Sequence, residues 1–179
     1  MELMIVIAII GIMTAVTVVS LGNTRTKKEV EVAAREVAAA IREAQNYALA
    51  GKQPGASVAC GMGLVTDNDG TGYKIFYNTK ANPGDDCNSI GKNYNPPNSV
   101  TLAQYNLKNS VQFPDSPINY RNKSVYFTMP HGTVYGNNGQ ILPANGNFPL
   151  QVGKAGTSYY YTCVSSSGNV VENGTDPCT

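Results

Sequence analysis

Between Glu2 and Arg25 lie 22 consecutive residues without an ionisable side chain, in a chain of 179 residues. The core of that gap, residues 3–21, reads LMIVIAIIGIMTAVTVVSL and is broken only by Gly11, two Thr and a Ser. As an α-helix this run is about 28 Å long, close to the roughly 30 Å of bilayer hydrocarbon. A helix that is apolar all round must be covered on every side, by lipid or by other helices. The run therefore predicts a membrane-spanning segment. A secretory signal peptide starts with positive charge, holds about 7–15 apolar residues and ends at a small-residue cleavage site. Here the run follows an acid at once and has no A-x-A site near Ser20, which argues against that alternative.

The next stretch, residues 25–50, predicts a helix of another kind. Val30, Ala34, Val37, Ile41, Ala44 and Ala48 recur at steps of three and four and form one apolar stripe. Lys27, Glu31 and Arg35 make two successive i,i+4 pairs of opposite charge on the other face. Gly51 and Pro54 stand where helix-terminating residues belong. Apart from a possible kink at Gly22-Asn23, one long helix is expected, apolar all round in its first half and one-sided in its second.

Beyond Pro54 short β-prone runs alternate with turn residues. Strands are expected at 57–66, 73–78, 123–129, 132–135, 148–152 and 158–165, with a short last one at 170–171. Asp67-Asn68-Asp69-Gly70 signals a hairpin turn between the first two. Residues 78–120, rich in Asn, Pro, Gly and Ser, are expected to be mostly surface loop with weak strands inside it. The fold class is thus α+β, one antiparallel β-sheet laid against the apolar stripe. Three regions follow: 1–24, the hydrophobic helix; 25–53, the amphipathic helix packed on the head; and 54–179, the β-rich globular head.

Charged residues make up 14% of the chain against roughly 25% in ordinary soluble domains, which argues against a cytosolic enzyme. A formal charge of +1 argues against a general nucleic-acid binder, which concentrates Lys and Arg on one face. G-x-S-x-G, H-E-x-x-H and the phosphate-binding P-loop are all absent from the sequence, so neither catalysis nor a cofactor is expected. His131, alone in Pro130-His131-Gly132, reads as a turn histidine, and Tyr159-Tyr160-Tyr161 as packing residues on a strand. Asp67 and Asp69 alternate around a Gly as calcium ligands do but lack the closing Glu, so they form at most a weak calcium site. Asp85-Asp86 is expected to be a solvated loop pair. The sequons at Asn122 and Asn173 are too short a pattern to imply glycosylation.

The string from Glu2 to Gly11, ELMIVIAIIG, closely resembles the N-terminal signature of type IV pilins and the related pseudopilins. In that family an N-methylated residue precedes the Glu, a helix of this composition follows, and a β-sheet head packs on its second half. The resemblance is close over residues 1–15 and extends to the rest of the chain in outline. Residues Phe127, Pro130 and Gly132 and the closing Gly168-Asn169-Val170-Val171 look, at looser spacing, like the pseudopilin-H and FimT subgroup. The basic leader, its Gly and the usual Phe-Thr-Leu before the acid do not precede Glu2 here, so the resemblance leaves the mature terminus open. The proline that many pilins carry late in the apolar helix is missing, with Val19 near its place.

The resemblance implies a structural subunit that polymerises through its N-terminal helix. It would be processed by a prepilin peptidase, held in the bacterial inner membrane beside an assembly platform and other pilins, and then exposed on a cell-surface filament serving attachment, motility or secretion. A minor pilin, or a type II secretion pseudopilin, whose head captures DNA or another ligand is the alternative. Against DNA stand the 8 basic and 7 acidic residues after residue 50, too even a balance for phosphate binding.

Physical chemistry gives Glu2 its part. A carboxylate at the bilayer centre costs roughly 2.5–3.5 kcal/mol, and less near an interface. The nearest base in the chain, Arg25, is about 35 Å away along a helix. A neighbouring copy's α-amino group can supply the counter-charge if helices stack with an axial stagger. Ala8, Gly11 and Ala15 place small residues at helical spacing, which permits the close approach such stacking needs.

Cys60, Cys87, Cys163 and Cys178 show no C-x-x-C spacing, so disulfides rather than a metal centre are expected for a head outside the inner membrane. Of three possible pairings the sequence-local one is favoured, Cys60–Cys87 and Cys163–Cys178. The second resembles the terminal disulfide loop of many pilins.

Overall fold

The computed structural model describes residues 2–55, 58–80, 82, 84–96, 98–116, 118–155 and 159–178; of the side chains at residues 2, 3, 16–21 and 23 nothing is described. Helix α1 runs Glu2–Leu49 without interruption, about 72 Å at the usual rise, and Gly22-Asn23 does not break it. It ends as the sequence requires. Gly51 takes φ +63°, its N–H donates to the Ala48 carbonyl at 3.1 Å, and the Lys52 N–H donates to Tyr47 at 3.0 Å. This is a Schellman closure, with glycine at the left-handed position.

Eight strands follow: β1 (Ala59–Thr66), β2 (Gly72–Thr79), β3 (Ser99–Asn106), β4 (Ser124–Thr128), β5 (Val134–Tyr135), β6 (Asn147–Gly153), β7 (Tyr159–Ser165) and β8 (Val170–Glu172). They form two sheets where one was expected. Five strands lie in the order β3-β2-β1-β4-β5, and three in the order β6-β7-β8, with every pairing antiparallel. The physical reason is the brevity of β5. After two residues the chain turns through Asn138 at φ 69°, and β6 starts a fresh ladder with β7 instead of extending the first. Both sheets lie on α1, which packs against β1, β4, β6, β7 and β8.

All six residues of the expected stripe are buried, with Ala33, Ala38 and Ala40 beside them. They meet Met62, Leu64, Ile75, Val125 and Phe127 from the first sheet and Leu150, Val152 and Val164 from the second. The predominance of Ala on this face lets both sheets approach the helix axis closely. A second, smaller core of Val65, Phe76 and Tyr126 is roofed by Tyr94 from the β2–β3 connection. The Cys60–Cys87 disulfide pins that connection, and Cys60 sits at the register shift between Ala59 and Gly61, a bulge that takes it out of the ladder. Buried Asn78 holds the same connection by donating to the Gly91 and Asn93 carbonyls at 2.7 and 3.0 Å.

Candidate functional site

Among the described side chains of α1, residues 4–15 are left uncovered by the head. Met4, Ile5, Val6, Ile7, Ile9, Ile10, Ile12 and Met13 are each between 50% and 79% exposed, whereas from Val30 onward the inward face of the same helix is sealed. Thr14 Oγ1 donates to the Ile10 carbonyl at 2.6 Å, and farther along Thr26 Oγ1 donates to Gly22 at 3.1 Å. These hydroxyls fold back on their own backbone and leave the surface apolar.

Ala8, Gly11 and Ala15 fall within about 60° of one another around the axis, at 100° per residue. All three are exposed, and among the described residues a Cβ added at Gly11 would meet nothing within 4 Å beyond its chain neighbours and its own helix backbone. Glu2 opens α1; the placement expected for its carboxylate lies outside the described side chains. Among the described residues no helix is long and apolar enough to cross a membrane. Residues 16–21, which complete the apolar run, lie outside the side chains described.

Both disulfides form with the sequence-local pairing, Cys60–Cys87 across 27 residues and Cys163–Cys178 across 15. The second ties the segment after β8 to β7, beside the Asn173 turn. Asp67 and Asp69 serve the hairpin. Lys74 Nζ lies 2.7 Å from Asp67 Oδ1, and Asp69 Oδ1 accepts the Thr71 N–H at 3.0 Å, a bond that holds the Asp69 carboxyl below its usual range. Among the described residues no three His, Cys, Asp or Glu side chains gather as a metal group. Asp85 and Asp86 lie in a loop as expected, half-buried and exposed respectively, and they also organise it. Asp85 Oδ2 accepts the Asn82 N–H at 2.8 Å, and Asp86 Oδ1 caps the 3-10 turn by accepting from Asn88 at 3.1 Å. His131 is exposed in the turn after the cis Met129–Pro130 bond. On β7 the Tyr161 hydroxyl accepts from Gln151 Nε2 at 2.9 Å.

Two arrangements had no local signal in the sequence. Glu172 of β8 reaches Arg42 and Arg35 of α1, at 3.4 and 3.5 Å. Lys108, 80 residues from Lys28 in sequence, lines one groove with it and Arg25. Residues so far apart in sequence give no periodic pattern, and only the tertiary fold brings them together. No protein-family model, no curated protein and no solved structure matches the chain.

Proposed function

We propose that this chain is a structural subunit of a type IV pilus or a related filament. In this reading residues 1–24 span the inner membrane before assembly and form the filament core after it, and the head is displayed on the surface for attachment or motility. One observation supports it above the others: eight large apolar side chains between Met4 and Met13 stand exposed on a helix whose continuation is buried under its own head. Exposed area of this kind demands a partner. A one-sided partner would suit a one-sided stripe; these side chains surround the helix, and only lipid or a bundle of other helices covers all of it. Ala8, Gly11 and Ala15 are the face on which neighbouring helices pack most closely. Glu2, paired with a neighbouring copy's N-terminal amine, sets the axial stagger between subunits.

Replacement of Glu2 tests the reading. In cells whose only copy carries Glu2→Ala, sheared surface filaments containing the chain should fall at least tenfold while the membrane fraction keeps the folded, disulfide-bonded subunit. Normal filament yield from that strain, or a native chain that stays monomeric in detergent at every concentration, defeats it.

A further inference from the structure

Where the apolar half of α1 meets the head, cations converge from three parts of the chain. Arg25 and Lys28 lie on the turns of α1 that follow residue 24, both exposed. Lys108 follows β3, and the left-handed residues Asn109 and Ser110 (φ 57° and 59°) turn the chain directly after it. Lys154 follows β6. A reciprocal bridge holds those two loops together: the Gln112 N–H donates to the Gly153 carbonyl at 2.8 Å and the Gly153 N–H donates back at 2.9 Å.

Arg25, Lys28 and Lys108 share an open groove of about 440 Å³, floored by Val32 and Ala33. The acids lining it are Glu29 and Glu36. Glu29 is already compensated twice, by Arg25 Nε at 3.2 Å and by Lys154 Nζ at 3.4 Å. Lys28 and Lys108 make no ion pair among the described residues. The groove therefore offers two uncommitted ammonium groups and a guanidinium at its rim, above an apolar floor.

Its position gives it a ligand class. The apolar run ends at Leu21, so Arg25 and Lys28 lie about 6 and 10 Å farther along the axis. The headgroup layer on each side of a bilayer is roughly 5–8 Å deep, and long basic side chains reach back into it along their alkyl stems. We propose that this groove is a collar for anionic phospholipid headgroups: Lys28, Lys108 and Arg25 bind the phosphate, and Val32 and Ala33 take the first methylenes of the lipid. The inference rests on the membrane reading above and extends it, because it gives the head a fixed height on the bilayer before subunits leave for the filament. An apolar floor next to the phosphate contacts suits an amphiphile better than a nucleic acid, whose backbone would call for cations along the whole groove.

The test is lipid retention by the full chain. It is reconstituted in bilayers of equal phosphatidylglycerol and phosphatidylcholine, extracted gently in detergent, and the lipids still bound are counted by native mass spectrometry. The native chain should retain phosphatidylglycerol in large excess over phosphatidylcholine. Lys28→Gln and Lys108→Gln should each lower that excess by about fivefold, the worth of one surface cation near an anionic leaflet. Tyrosine near-UV circular dichroism shows that each variant is folded. Equal retention of the two lipids, or an excess unchanged in the double variant, overturns the collar and leaves the membrane reading standing. Retention of inorganic phosphate in place of lipid when the two are equimolar, or displacement of the lipid by duplex DNA at unchanged ionic strength, reassigns the groove to that ligand and also overturns it. Cross-links from Lys28 to Glu36 of another copy, without bound lipid, give the groove to a second subunit instead. Failure of the native chain to enter the bilayer at all sinks the membrane reading, and the collar with it.

Discussion

Arg42 fastens the last strand to the helix: its Nη1 lies 3.4 Å from Glu172 Oε1, and its Nη2 donates to the Val170 carbonyl at 2.9 Å. Arg35 reaches the other oxygen of the same carboxylate, so β8 is held to α1 by charge as well as by packing. The Arg42 and Glu172 side chains are 47% and 28% exposed, and water screens such a pair to well under its value in a dry interior. Arg42→Ala should cost the detergent-solubilised chain about 1 kcal/mol, ion pair and backbone bond together. In a double-mutant cycle with Glu172→Ala the coupling should shrink in high salt. A coupling that salt does not change would mean that packing of the arginine stem carries the effect.

Gly63 has a steric duty. A Cβ there would stand 2.3 Å from the Val125 carbonyl oxygen and 3.0 Å from the Phe76 ring. The oxygen belongs to β4, paired directly with β1, so it cannot move without breaking the ladder. Gly63→Ala should lose about 3 kcal/mol, at the upper end of overpacking costs, read as a lowered thermal midpoint of the tyrosine near-UV signal.

Gly11 makes the opposite prediction. Among the described residues, its chain neighbours and the backbone of its own helix turn aside, nothing lies within 4 Å of the Cβ it lacks. Gly11→Leu should leave the unfolding of the head unchanged and reduce filament yield severalfold, because the added bulk meets only a neighbouring helix. Loss of head stability in that variant would show that residues near Gly11 pack on their own subunit.

What was legible in the chain follows the reach of its signals. The stripe from Val30 to Ala48 repeats at the helical period, and each of its six residues is buried. β1 and β2 flank an Asp-Gly turn and were expected within two residues of their observed ends. β3 answers to one of the weak strands expected inside residues 78–120, but its bounds were not legible because it is an edge strand. Its residues are exposed or half-buried throughout, and the polar–apolar alternation of SVTLAQYN flips phase at Leu102-Ala103, where its pairing with β2 is irregular, so only short, weak pieces of strand pattern can be read. The division into two sheets was also invisible, since it depends on where a two-residue strand stops. Of the candidate site, the exposed apolar helix was plain from composition alone. The groove at its end was not, because Lys108 joins Arg25 and Lys28 there, and Lys154 reaches Glu29, only through long-range contacts such as the bridge between Gln112 and Gly153.

The two disulfides should differ in what their loss exposes. In the chain-entropy model, closing loops of about 15 and 27 residues contributes roughly 3 and 3.5 kcal/mol. Cys163 and Cys178 join β7 to the segment after β8, which holds no residue of either core cluster, so Cys163→Ser with Cys178→Ser should cost near the entropic figure and little else. Cys60 and Cys87 hold the connection that carries Tyr94 over Phe76, with their rings 5.1 Å apart. Cys60→Ser with Cys87→Ser should therefore exceed its entropic figure and should also open the Phe76–Tyr126 cluster to a dye that binds exposed apolar surface. Equal losses and no dye binding would show that the connection holds its place without the bond.

Acid should loosen the loops before it unfolds the head. Hydrogen bonds from Thr71 to Asp69 and from Asn88 to Asp86 hold both carboxyls below their ordinary value of 3.8. A carboxyl depressed in the folded state favours folding wherever the unfolded chain would be ionised, so its contribution is complete above about pH 4 and is lost as the pH falls through the lower, folded value. Both groups are fully open to water, and each effect is correspondingly small. Amide exchange at Thr71 and Asn88, the donors of these bonds, should accelerate below pH 4 relative to the intrinsic rate while the amides of β1 and β2 stay protected. In Asp69→Ala the Thr71 amide should exchange fast at every pH, and its acid dependence should vanish. Acid dependence that persists at Thr71 in that variant would assign the protonation event to another carboxyl.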